Sequence, residues 1–163
     1  NYFVIVSRLR PYKKVDLAIQ AFNRLDMPLY IIGDGEEEAR LKKLAGPSIK
    51  FLGRLSEADK KSVLARALGF IHPQEEDFGI AAVEAMAAGT PVVAFDRGGA
   101  RETVVAGETG VFFEEQTPES LLAVLKKFNH LDFDSQAIKA RATLFDKEIF
   151  KEKWRGIIQS ELI

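Results

Sequence analysis

Two carboxylates eight residues apart, Glu76 and Glu84, bracket the segment of this chain with the clearest chemical potential. From Phe78 to Ala88 the sequence reads as a helix in which Glu84 is the only polar side chain. A helix apolar on all sides is a buried helix, and a carboxylate on it costs on the order of several kcal/mol unless something donates hydrogen bonds to it. Either Glu84 pairs with a buried Arg or a helix terminus, or it waits for ligand hydroxyls. As acid and base of a hydrolase the pair is badly spaced. Eight helical residues span about 12 Å, whereas hydrolase carboxyl pairs lie roughly 5–9.5 Å apart, and Glu76 precedes the helix. The spacing suits two contacts along one extended ligand. Between them, Gly79 permits close backbone approach, and the N–H groups of Phe78, Gly79 and Ile80 are unpaired donors for an anion. The competing reading is that Gly79 only relieves crowding.

A second cluster, Ser7-Arg8-Leu9-Arg10-Pro11-Tyr12-Lys13-Lys14, follows the first strand. Two or three cations there suit a diphosphate, although such a charge run is elsewhere usually solvated surface. Gly33-Asp34-Gly35 is not a dinucleotide fingerprint, because Glu38 stands in place of the third glycine, and no P-loop pattern occurs. A tight turn accounts for it better. Gly98-Gly99 before Glu102 either admits a phosphate or sugar or simply turns the chain. His72 ends a strand and His130 stands alone; neither has a second histidine at metal spacing, so no protein metal site is expected.

The elements that must position these residues alternate almost from end to end. Strands are predicted at Tyr2–Ser7, Pro28–Gly33, Ile49–Gly53, Gly69–His72, Pro91–Phe95 and Gly110–Phe113. Helical patterns lie at Val15–Leu25, Glu36–Leu44, Ser56–Arg66, Phe78–Ala88, shortly after Gly99, and at Pro118–Lys127. Ser56 and Thr117 are the expected N-caps. Two helices, at about 135–144 and 147–162, close the chain. This order predicts one α/β domain over residues 1–163, a doubly wound parallel sheet of about six strands. Ligands then belong at the strands' carboxyl ends, in the loops after Ser7, Gly33, Gly53, His72 and Phe95. With 23 basic and 24 acidic residues there is no nucleic-acid footprint. Without cysteine there is no thiol chemistry, and no apolar run reaches membrane-spanning length. Asn1 leads straight into a core strand, so an N-terminal partner domain is expected outside this chain.

Taken together the pattern resembles the C-terminal domain of the GT-B retaining glycosyltransferases of family 4. It runs through Ser7-Arg8-Leu9 with Lys14, Gly33-Asp34-Gly35, Phe51-Leu52-Gly53, Glu76-x-Phe78-Gly79-Ile80 and Glu84-Ala85-Met86-Ala87. It continues through Gly89-x-Pro91-Val92-Val93-Ala94, Gly98-Gly99-x-x-Glu102 and Thr109-Gly110-Val111. The resemblance implies a Rossmann-like half of a GT-B fold that binds a nucleotide sugar. Glu76 would meet hydroxyls of the transferred sugar and Glu84 those of the ribose. Arg8 and Lys14, six apart, would hold the diphosphate with the amides of Phe78, Gly79 and Ile80. The base would lie near Gly53 and Arg54, and Gly99 would line the donor site. Members need no cofactor or metal for the donor, and take the acceptor, a glycan or a lipid-linked sugar, on the missing N-terminal domain. The implied setting is cytoplasmic, with contact at the inner membrane face through that domain. The fragment alone would bind donor without transferring sugar.

Ser7 stands where glycine is more frequent, and Asp77 where E-G-F-G has glycine. The resulting Glu75-Glu76-Asp77-Phe78-Gly79-Ile80, with Gly98-Gly99-Ala100-x-Glu102-Thr103, is similar to mannosyltransferases of bacterial O-antigen assembly. That points to GDP-mannose, with UDP-sugars as the alternative donors. A GT-B nucleotide-sugar epimerase and a non-catalytic nucleotide-sugar-binding module are the competing functions; upstream sequence and nucleotide titration separate them.

Overall fold

The strands are runs of β-branched and aromatic residues that stop wherever glycine, proline or a charged turn intervenes. The computed structural model describes residues 2–25, 27–128 and 131–161. Its strands are β1 (Phe3–Val6), β2 (Leu29–Ile32), β3 (Ile49–Gly53), β4 (Gly69–His72), β5 (Val92–Phe95) and β6 (Gly110–Phe113). Its helices are α1 (Val15–Phe22), α2 (Glu38–Leu44), α3 (Glu57–Ala65), α4 (Ile80–Ala87), α5 (Ala100–Thr103), α6 (Pro118–Phe128), α7 (Ser135–Thr143) and α8 (Lys147–Glu161). A single 3₁₀ turn, Pro11–Lys13, precedes α1. Both expected caps form: the Asp59 N–H donates to Ser56 Oγ and the Ser120 N–H to Thr117 Oγ1, each at 3.2 Å. His130 and Leu162 lie outside the described residues.

All six strands pair in parallel, in the order β3-β2-β1-β4-β5-β6. Alternate residues of each strand feed two cores, as the pleat requires. Phe3, Ile5, Val93 and Phe95 pack with α1 and α6 through Phe22, Leu121 and Leu125. Val4, Val92 and Ala94 pack with α3, α4 and α7 through Leu64, Met86 and Ile138. Fully burying such side chains contributes roughly 1.5–3 kcal/mol each, which is what holds helices on both faces. Among the described residues no helix is long and apolar enough to cross a membrane.

One expectation fails. The α4 segment is not buried all round: Ala82, Ala85 and Met86 face the core, while Ile80 is 68% exposed and Phe78 in front of it 41%. The helix also starts two residues later than expected, because Gly79 at φ +82° is left-handed and cannot belong to it. Apolar composition misled here because alanine satisfies one face while the other borders open grooves. On α8, Phe150, Trp154, Ile157 and Ile158 are likewise exposed.

Candidate functional site

Strand order reverses between β1 and β4, so the loops leaving their carboxyl ends diverge and open a crevice. A cleft of about 590 Å³ occupies it, walled by Ser7, Arg8, Tyr12 and Lys13 from the β1 side and by residues 75–81 from the β4 side. Arg8, Glu76, Phe78, Gly79 and Ile80, five residues expected at a site, therefore share one cavity. Lys14 does not. The proline-initiated 3₁₀ turn ends at Lys13, and Lys14 takes a left-handed conformation (φ 52°, ψ 31°) that begins α1 and leaves its side chain exposed. Lys13 is the cation that turns inward. Its ammonium pairs with the Glu76 carboxylate and lies 5.1 Å from the Tyr12 ring centroid, and burial pushes its pKa below the ordinary value. Arg8 is exposed and forms no ion pair among the described residues.

The loop carrying Glu76 is tied down from two sides. Gln116 Nε2 donates to the Pro73 carbonyl at 3.0 Å, and the Gly99 N–H donates to the Glu76 carbonyl at 2.7 Å. A methyl group on Gly99 would lie 2.1 Å from the Asp77 carbonyl oxygen. Gly98-Gly99 thus turns the chain and docks it on the loop; Gly99, expected to line the donor site, is not among the residues that line the cleft, and its N–H is already engaged. Beyond the loop, α4 has no side-chain N-cap; its Ala82 and Val83 N–H groups donate to the Gly79 carbonyl, which leaves those of Ile80 and Ala81, two residues that line the cleft, without an intrahelical acceptor.

Glu84 sits farther along α4, 38% exposed at its side chain rather than buried. Its partner is neither an arginine nor a helix terminus but Lys60 of α3, whose Nζ lies 3.0 and 3.2 Å from its two oxygens and 2.9 Å from Glu57. Burial alone would lower the Lys60 pKa, yet hydrogen bonds to Glu57 and Glu84 leave it raised. These residues line a groove of about 440 Å³. Sequence reading missed Lys60, since a pair 24 residues apart on two helices leaves no local pattern. Gly53 and Arg54 stand at the end of β3, outside the cleft; the Gly53 carbonyl accepts from the Gly33 N–H at 2.8 Å and Arg54 Nε pairs with Asp34 at 2.7 Å. Among the described residues no group of three or more His, Asp or Glu could hold a metal ion.

His72, at the end of β4, is 1% exposed, and its Nδ1 lies 3.2 Å from Gln74 Nε2. Burial, helped by the nearby Lys13 charge, lowers its pKa from 6.5 to about 4. The unfolded chain therefore takes up a proton near pH 6.5 that the folded chain refuses until about pH 4. The corresponding stability is complete above pH 6.5 and falls by on the order of 3 kcal/mol as pH drops to 4. Urea unfolding of wild type and His72→Phe across this window should show the difference; parallel pH profiles would refute it.

The chain matches the family of glycosyl transferases group 1 over residues 1–144, and it belongs to that family. Its parallel sheet with flanking helices is the Rossmann-like α/β fold of GT-B glycosyltransferases. It is similar to the GDP-mannose-dependent monoacylated alpha-(1-6)-phosphatidylinositol monomannoside mannosyltransferase of Corynebacterium glutamicum, 35% identical over 176 aligned positions that cover 95% of this chain and 46% of that protein. A GDP-mannose-dependent alpha-mannosyltransferase of Mycolicibacterium smegmatis is 37% identical over 110 residues, covering 67% of this chain and 29% of its own length. Among solved structures, Anabaena HepE in complex with UDP and glucose superposes with a TM-score of 0.78 at 26% identity, over 98% of this chain and 48% of that one. The chain thus spans less than half the length of these relatives.

Proposed function

We propose that this chain is the donor-binding half of a retaining hexosyltransferase that moves mannose from GDP-mannose to a glycan or lipid-linked acceptor bound by another domain. The observation that carries the reading is the cleft at the sheet's switch point, which Arg8, the Lys13–Glu76 pair and the first residues of α4 line together. Without donor, Lys13 and Glu76 neutralise each other. A nucleotide sugar entering between them gives Lys13 a phosphate and frees Glu76 to accept sugar hydroxyls. As the glycosidic bond breaks, negative charge grows on the diphosphate, and the two cations with the α4 amides stabilise it where it forms. They supply the positive charge that a metal would otherwise bring, so no resident metal is invoked. Glu84, held by Lys60, accepts the ribose hydroxyls. The two named mannosyltransferase relatives support GDP-mannose; the UDP complex of HepE keeps a UDP-sugar as the second reading.

Calorimetric titration of the chain with GDP, GDP-mannose, UDP and UDP-glucose tests this. Binding is expected for the guanine pair, with UDP at least about tenfold weaker. Glu84→Ala should weaken GDP about 10–100-fold by removing charge-assisted hydrogen bonds, and Lys60→Ala about 3–10-fold by releasing the carboxylate's orientation. No binding of any of the four would end the donor-site reading; tighter UDP would move it to a UDP-sugar.

A further inference from the structure

Two buried polar side chains beside the cleft have no part in that scheme. His72 and Gln74 are 1% and 4% exposed and neither lines the cavity. Buried polar groups need partners, and these two find each other across Pro73. With the Gln74 amide donating to Nδ1, the ring proton belongs on Nε2. The opposite edge of the ring abuts the α4 turn: a methyl group on Gly79 would stand 3.1 Å from both Cε1 and Nε2. One imidazole therefore spans from Gln74, two residues before Glu76, to Gly79, three residues after it.

Resting on the donor-binding reading above, we infer that His72 and Gln74 are positioning residues that hold the Glu76 loop and the Gly79 turn in register for a diphosphate. They act through what they clasp and never meet the ligand. A purely apolar ring at position 72 fills the same space but strands the Gln74 amide, which then swings out for water and carries the backbone ahead of Glu76 with it. The loop is also pinned at Pro73 and Glu76 by Gln116 and Gly99, so it survives the loss, displaced rather than unfolded. Glu84, which would meet the nucleoside, takes its hold from Lys60 of α3 rather than from the clasp.

The discriminating measurement is the ratio of GDP to GMP affinity, since a general loss of folded protein lowers both alike while a displaced turn lowers only the diphosphate increment. Wild type is expected to prefer GDP at least about tenfold, and Gln74→Met and His72→Phe to reduce that preference to about threefold with GMP affinity nearly unchanged. An undiminished preference in either folded variant overturns the positioning role. A wild-type readout needs no variant: GDP should displace the His72 ring resonances more than GMP does, and equal displacement also overturns it. If wild type binds no nucleotide at all, the donor-binding reading itself falls; if it binds and the ratio persists in the variants, only the clasp does.

Discussion

Replacing Lys13 with alanine is expected to weaken nucleoside diphosphate binding by about 30–100-fold, while Lys14→Ala changes it by less than about twofold. The two lysines are adjacent and chemically identical, so the contrast tests geometry alone. The Lys13 side chain is 15% exposed and paired with Glu76, which is 21% exposed. Its ammonium is already partly stripped of water, so a phosphate gains it at little further desolvation cost. Truncation removes that contact and also leaves the Glu76 carboxylate facing an incoming diphosphate without a counter-charge. Lys14 is exposed at a left-handed position outside the cleft, and its removal costs only weak long-range attraction. Titration of GDP into both variants at two salt concentrations decides it. A larger loss from Lys14→Ala, or the same loss from both, would return the diphosphate role to the pair that the family resemblance implies, Arg8 with Lys14.

That lysine doublet shows where sequence was legible and where it was not. Three strands, β3, β4 and β6, lie at the residues read from their apolar runs, and the others differ by a residue or so at their ends. Buried parallel strands advertise themselves because both faces must be apolar. The loops that would carry ligand contacts followed from strand order, and Arg8, Glu76, Phe78, Gly79 and Ile80 share one cleft. What sequence could not decide was phase within a turn. Whether residue 13 or 14 points inward depends on a three-residue 3₁₀ turn and one left-handed residue, and neither has a periodic signature. Pairing between elements was equally hidden. Nothing near Lys60 or Glu84 announces that they meet, nor does anything near Gly99 announce that its N–H is spent on the Glu76 carbonyl.

Gly99→Ala is expected to lower stability by about 2–4 kcal/mol and to weaken diphosphate binding more than about tenfold in the protein that remains folded. Gly99 has φ −63°, which alanine adopts freely, so backbone strain at the residue itself contributes nothing. The cost is contact. The added methyl would stand 2.1 Å from the Asp77 oxygen, 2.6 Å from its carbonyl carbon and 2.7 Å from the Phe78 Cα. Every one of those atoms is backbone, so no side chain can rotate away. The β4–α4 loop must retreat or the Gly98-Gly99 turn must, and either movement stretches the Gly99-to-Glu76 hydrogen bond. Gly107→Ala is the matched control: φ is +81° and nothing lies within 4 Å, so only the left-handed penalty of about 1 kcal/mol applies, far from the cleft. Denaturant unfolding and GDP titration of both variants separate the cases. If Gly99→Ala unfolds like Gly107→Ala and keeps its GDP affinity, the docking of this turn is not what places Glu76.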